Sequence, residues 1–490
     1  MQLVKLITHK IIKALGKFFH QVNTQNKIHR TLFSTRYISI FFVACLQLMA
    51  SEILNAQDNS PYSRFGIGDL HPSTSILNRG MGGISAAYAD QFSVNFSNPA
   101  SYSRFFSLLE GKSKKSSYGR ILLDVGLNFD NRTLRETNNP KKYTVGNAYF
   151  SYLQLGIPIK KDLGIVFGLR PISRINYKVG RNERLFDPVT GLPIDSAITE
   201  FSGNGGTFLF NTGIGYAIKN FSVGINAGYL FGRKDYSTQR TFINDSVAYA
   251  ASNHQTKTAL GDLFFNAGMQ YRVDLNKGKT KYLQFGVFGN TKQNINSTSD
   301  IIRETFSRGA DGADFRIDSV SENLNIKGKI IFPATFGGGF LIEKLQDIKS
   351  GGWLFGIDYT QSSWNDYRYN GQIDSVRNNW KLKIGGQIKP SLKESKYKNY
   401  MAYRAGLFLG NDYVFLNKKL PEIGVTAGIT LPIANLKDAQ RRFRTQYSLV
   451  NISAEYIKRG KKDNLLRENL FRVSVGFSLS DLWFTKRKYE

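Results

Sequence analysis

Residues 221–229 read FSVGINAGY. Successive side chains of an extended chain point to opposite sides, so Phe221, Val223, Ile225, Ala227 and Tyr229 share one face, and Ser222, Gly224, Asn226 and Gly228 the other. The same period of two runs through Phe471, Val473, Val475, Phe477 and Leu479 against Arg472, Ser474, Gly476 and Ser478. It returns in Ile423, Val425, Ala427, Ile429 and Leu431 against Gly424, Thr426, Gly428 and Thr430. Each stretch is a strand with one greasy and one small or polar face. A soluble sandwich alternates as well, so alternation alone leaves two architectures open.

The spacing between strands separates them. About 14 segments of this kind fall between 121 and 479, among them 163–179, 205–218, 220–232, 260–273 and 325–342. Long links (180–204, 233–259, 292–324, 363–378) tend to alternate with short ones (158–162, Lys219, 274–281). An antiparallel barrel crossing a membrane keeps short turns on one side and long loops on the other, a parity that a sandwich has no reason to keep. Trp353, Tyr359, Trp364, Trp380, Tyr413, Tyr456 and Trp483 sit at or near strand ends, where amphipathic rings favour the membrane–water boundary. Strands mostly of about 10–14 residues suit a tilted crossing. In the absence of water to satisfy the backbone, such a sheet must close.

Composition agrees. Only 12 prolines accompany 46 glycines, 36 phenylalanines and 25 tyrosines in 490 residues, a vocabulary of strands and turns. A net charge of +29 suits nucleic acid or an anionic membrane surface. The strand pattern selects the membrane, with its lipid and lipopolysaccharide as partners and no nucleic acid. On this topology the basic runs at Arg441-Arg442-Phe443-Arg444 and Lys486-Arg487-Lys488 are solvated rims facing the periplasm. One cysteine, Cys45, excludes a disulfide framework, and His71 and His254 are the only histidines after the leader. No catalytic set, metal site or cofactor is expected. Residues 38–50, ISIFFVACLQLMA, follow Lys27, Arg30 and Arg36 and precede Leu54-Asn55-Ala56, the outline of a secretory signal peptide. A lipoprotein signal through Cys45 is the weaker alternative.

Residues 77–103, LNRGMGGISAAYADQFSVNFSNPASYS, fit neither helix nor strand. Pro99 fixes its own φ and pushes Asn98 towards an extended conformation, so Asn98-Pro99-Ala100 forms a rigid corner. The reading is a plug inside the barrel; an ordinary surface loop is the competing one. The expected fold is therefore all-β, a transmembrane antiparallel barrel of about 14 strands with an N-terminal lumenal plug. Its parts are a leader (1–56), hatch (57–120), barrel (121–480) and basic periplasmic tail (481–490).

The run Gly-Met-Gly-Gly, Ala-Tyr-Ala-Asp, Asn-Pro-Ala resembles the N-terminal hatch of the FadL-like family of outer-membrane transporters for hydrophobic compounds. Residues 155–179 (with Pro171, Ser173 and Tyr177), Phe332-Pro333 before Phe336-Gly337, and Asp358 with Trp364 are similar to later motifs of that family. The SPYSRFGIGDL opening and the SLSDLWFTKRKYE end depart from it and mark a divergent branch. The resemblance implies an outer-membrane channel of a diderm bacterium, inserted by the barrel-insertion machinery. Small hydrophobic molecules such as long-chain fatty acids would pass a hatch (Gly80, Gly82, Gly83, Asp90, Asn98, Pro99, Ala100) and leave sideways through the wall. Proline cannot donate to a central ladder, so Gly168 and Pro171 are candidates for that lateral opening, with a bulge at the rim as the alternative. Asn98-Pro99-Ala100 would lie against it. A non-transporting scaffold or shuttle for a secretion or surface-attachment machine is the other function that the family implies. An apolar pocket behind the hatch would favour transport; a filled lumen with apolar loop tips would favour the scaffold.

Overall fold

The computed structural model describes residues 60–109, 116–137, 141–243, 249–309, 313–393, 396–433 and 446–483. The leader with Cys45, the run at 441–444 and the tail beyond Trp483 lie outside them. Sixteen long strands follow in chain order. They are β1 (Ser116–Glu136), β2 (Lys142–Lys160), β3 (Leu163–Phe186), β4 (Pro193–Ile218), β5 (Phe221–Phe242), β6 (Ala251–Asp274), β7 (Lys281–Asn290) and β8 (Gln293–Arg308). The second half holds β9 (Asp314–Phe332), β10 (Thr335–Lys344), β11 (Gly352–Ser362), β12 (Asn379–Lys389), β13 (Ala402–Leu416), β14 (Lys418–Ile433), β15 (Gln446–Arg459) and β16 (Leu466–Trp483).

Fourteen of these close into one antiparallel ring. Each ring strand pairs with the next, β7 pairing directly with β10, and β16 returns to β1 along its whole length. β8 and β9 stand outside the ring as a hairpin. β8 continues the sheet from residues 251–260 of β6, while the other end of β6 pairs with β7.

The two faces are the inverse of a soluble protein's. Phe221, Ile225 and Tyr229 are 41–49% exposed, whereas Ser222 and Asn226 are buried. Phe471 and Leu479 are exposed likewise, with Arg472, Ser474 and Ser478 buried between them. The greasy face is the outer one and the polar face lines the bore, so the sandwich is excluded and the outer surface is made for hydrocarbon.

Three expectations change. The long links at 180–204, 233–259 and 292–324 are largely strand: the ladders of β3–β4 and β5–β6 continue past the apolar band, and the third link supplies β8 and the start of β9. Beyond the bilayer the outer face needs no grease, so the hydrophobic contrast that marks a strand in sequence fades while backbone pairing goes on. The single strand read at 325–342 is two, broken at Pro333-Ala334, where the Pro333 carbonyl accepts from Asn290 Nδ2 at 3.0 Å. Trp353, Tyr359 and Tyr456 do face outward, but Trp364 and Tyr413 are buried inside, with ring centroids 4.2 Å apart.

Val425 lies on the outer face near the middle of β14. Val425→Arg is expected to lower stability by about 2–4 kcal/mol in lipid vesicles, read by denaturant unfolding, if it sits at the bilayer midplane.

Candidate functional site

The site is the filled bore. Residues 60–106 run inside the ring and touch almost every strand of it. Ile76 packs on Gly126 of β1 and Gly476 of β16; Gly80 meets Gly428 of β14; Met81 crosses Gly385 of β12 and Gly406 of β13. Ile84 lies on Gly356 of β11, Ala86 on Gly286 of β7, and Asn98 on Gly268 of β6. Pro99 spans Gly224 of β5 and Gly215 of β4; Tyr102 reaches Gly164 of β3 and Phe105 reaches Gly156 of β2. Twelve wall strands thus present glycine where the segment passes. Two runs are directly cross-strand: Gly164–Gly215–Gly224–Gly268 and Gly356–Gly385–Gly406. A methyl group on Gly215 would sit 2.5 Å from the Pro99 carbonyl oxygen. The wall is bare there because backbone lies against backbone.

Of the residues singled out in the hatch, Gly80, Gly82, Asn98, Pro99 and Ala100 lie against the wall glycines. Gly82 (φ +71°) donates its N–H to Thr426 Oγ1 at 2.8 Å, and Gly83 (φ +80°) donates to the Asn78 carbonyl at 2.9 Å. Both need the left-handed region that glycine alone enters freely. Asp90 accepts from the Tyr88 hydroxyl (2.7 Å) and the Phe92 N–H (2.6 Å), closing a local turn. Asn98 Nδ2 donates to the Ala86 carbonyl (2.6 Å), and Asn98 Oδ1 caps the short helix Pro99–Arg104 through the Ala100 N–H (3.1 Å). Ala100 is fully buried. The corner faces β4–β7 rather than Pro171, one strand or more along the wall from where it was expected.

Gly168 still pairs with Gln154 inside the β2–β3 ladder, and Pro171 lies just past the end of that ladder. The ladder between β2 and β3 covers only residues 153–160 against 163–169 and stops one residue before Arg170-Pro171. Beyond it, β2 pairs only with β1, whereas β3 continues on β4 with a register shift at Pro171. The lumenal segment patches the opening. Asp69 and Leu70 pair antiparallel with Arg174 and Ser173 of β3, and the His71 N–H donates to the Ile172 carbonyl at 2.9 Å. The His71 ring meets Tyr149 of β2 edge-on, centroids 4.7 Å apart. Burial first, then the Arg472 guanidinium, push the His71 imidazole down to about 3, so it is neutral on that ring at pH 7.

Asp69 bolts the patch to the strands on the far side of the gap. Its carboxylate takes Arg132 of β1 at 2.5 Å and Arg459 of β15 at 3.1 Å, and Glu468 of β16 accepts from the same two guanidiniums at 2.9 and 3.0 Å. Arg472 pairs with Asp130 at 2.7 Å alongside. Arg79 reaches from the segment to Asn128, Ser151 and Ser474. Beside this network lies a cavity of about 320 Å³, with Phe264, Phe288, Phe332, Trp364 and Phe408 on one side and Asp69, Leu70 and His71 of the patch among its walls. At the far end residues 60–68 cap the bore: the Gly66 carbonyl accepts from Lys234 Nζ (2.7 Å) and the Tyr367 hydroxyl (3.0 Å).

None of Asp69, Arg132, Arg459 or Glu468 was singled out from sequence. The available signal was polar and ionisable residues at strand spacing on the small-polar face, as in Asn128, Asp130 and Arg132.

A family model described as BamG matches residues 36–490. No curated protein matches the sequence. The chain is similar to a solved FadL homologue of Pseudomonas aeruginosa at 14% identity, over 86% of this chain and 100% of that one, with a TM-score of 0.47. The toluene transporters TodX of Pseudomonas putida (15%, 85% and 99%, 0.46) and TbuX of Ralstonia pickettii (11%, 85% and 99%, 0.47) are alike to the same degree.

Asp69→Ala leaves the Arg132 and Arg459 guanidiniums with Glu468, and Arg459 also with Asp412 at 2.9 Å, and is expected to cost about 3 kcal/mol, the low end for breaking a buried pair because those carboxylates remain. The readout is faster hydrogen exchange at 69–71, with the ring strands unchanged. The His71 contribution is present at neutral pH and is lost as pH falls below the unfolded value of about 6.5, because the detached ring protonates first. Exchange of the His71 amide, corrected for intrinsic rate, is expected to accelerate between pH 7 and pH 5.

Proposed function

The chain belongs to the BamG family, and we propose that it is a structural barrel subunit of the outer-membrane barrel-assembly machinery, to which that family name points. The bolted patch carries this reading. A barrel that passes cargo unaided needs a bore or a gate that opens at small cost. Here Asp69 is clamped by two buried guanidiniums, and such a pair costs about 3–5 kcal/mol to break from one side. A bore occupied by a bolted segment suits a component whose work is done by its outer surfaces. Apolar loop tips support the same reading: Phe186, Val189 and Leu192 are 59–91% exposed between β3 and β4.

A tagged copy is expected to co-isolate with the core of the assembly machinery from mild detergent. Its depletion is expected to lower the folded fraction of many outer-membrane proteins at least twofold. Isolation of the barrel alone, with an unchanged outer-membrane profile, sinks the reading.

The cavity favours a second reading, a channel for small hydrophobic molecules with the patch as its gate. Five aromatic rings stand behind Leu70, and a fatty chain leaving through the gap at Pro171 would gain about 0.8 kcal/mol per CH₂ on reaching lipid. Uptake of a labelled long-chain fatty acid tests it in three strains: intact, lacking the protein, and carrying Asn98→Ala with Pro99→Ala. Loss in both altered strains supports hatch-gated transport, and normal uptake without the protein ends the fatty-acid version.

A further inference from the structure

The hairpin of β8 and β9 leaves one edge of the sheet open. β9 is hydrogen-bonded to β8 on one side. On the other, among the described residues, only Ile330 and Ile331 pair, with Tyr369 and Arg368. The Lys329 carbonyl accepts from the Asn370 N–H at 3.0 Å, so residues 314–328 present the free edge, and nearly all of them are exposed. They lie beyond the apolar band: β8 is joined to residues 251–260 of β6, past the outward Leu263 and Phe265 that face the hydrocarbon.

Natural edges in water are blunted with charge, proline or bulges that twist the strand away. β9 has bulges, but they carry grease. The register skips at Ile317 and at Val320, so these are the extra residues, aimed off the ladder, and they are 59% and 66% exposed. Phe315 (58%) and Leu324 (52%) extend the same surface. The strand carries charge as well, in Asp314, Arg316, Asp318, Glu322, Lys327 and Lys329, yet its edge still holds four large apolar side chains in water.

We propose that β9 accepts an additional β-strand from a different protein, an extended segment that completes its backbone ladder. The segment is apolar where it passes residues 315–324, basic opposite exposed Asp318, and acidic opposite exposed Lys327 and Lys329. Arg316 asks for no partner, since Glu304 and Glu322 already hold it at 3.3 and 3.1 Å. A second copy of this chain fits worse. The antiparallel register that sets Asp318 opposite Lys327 places Ile317 opposite Gly328 and Val320 opposite Asn325, wasting the apolar groups. A register centred on Val320 sets Asp318 against Glu322, like against like. The inference does not depend on the assembly role proposed above, because it rests on the edge alone.

Strand addition has a signature that mere proximity lacks. A photo-crosslinking residue is placed in turn at 315, 317, 320 and 324 of the full chain in its native outer membrane, with Arg181 on β3 as an exposed control, and the adducts are mapped by mass spectrometry. The expected result is adducts to one extended segment of another protein, the linked residue moving monotonically along it as the probe moves along β9. Ile317→Asp with Val320→Asp is expected to reduce those adducts at least tenfold while heat-modifiable gel mobility still reports a folded barrel. Adducts to a second copy, to lipid alone, at scattered sites, or equally from position 181 overturn the proposal, as does the absence of any adduct.

Discussion

A ring of fourteen strands is wider than its own inward side chains can fill. Eight strands leave an interior that side chains can occupy, and sixteen leave a water channel. The fold solves this with backbone: residues 60–106 are laid inside the wall, and the wall is shaved to glycine along their path. The cross-strand runs at Gly164–Gly215–Gly224–Gly268 and Gly356–Gly385–Gly406 exist for that contact. Glycine in a strand interior otherwise weakens it, so the loss in each strand is offset only by what the segment contributes. Wall and filling are therefore one structure.

What remains of the bore is spanned by charge. Buried ion pairs are weak evidence of net stability, since desolvation opposes the attraction, but breaking one from a single side is costly. Asp69, Glu468, Arg132 and Arg459 are arranged as two acids shared by two bases, so that neither base depends on one partner. Such an arrangement fixes position more than it adds strength. It holds Leu70 and His71 in the opening between β2 and β3, where the wall lacks a ladder of its own.

The ring was legible because lipid imposes period two on every strand. Phe221–Tyr229 and Phe471–Leu479 carry it openly, and the strand count followed from it. Past the bilayer the same ladders lost their contrast, so β8 and the far halves of β3–β6 read as loops. Trp364 and Tyr413 were read as interfacial because ring chemistry suits a boundary and a lumenal cap equally. Pro171 did signal the end of a ladder, since a missing N–H is local information. That Asp69 rather than Asn98 stands opposite it depends on how far the segment travels round the wall, which no local pattern encodes. The buried charges were invisible for a related reason: a polar residue on an inward face is ordinary until its partner, hundreds of residues away, is known.

The segment's first described residues close on the last strand. Ser60 bonds Glu468, and the Tyr62 hydroxyl donates to the Leu466 carbonyl at 2.6 Å. An early stretch of the barrel-forming chain is therefore fully seated only when a late one has arrived. Contacts of such separation form slowly, because loop closure must precede them. Until β16 is in place, Asp69 and Ser60 lack Glu468, and the cap rests only on its other partners, Lys234 and Tyr367 among them. Seating of the N-terminus is thus a completion signal: a ring short of its final strand keeps its first residues unsheltered, open to proteases and chaperones, and a finished ring withdraws them.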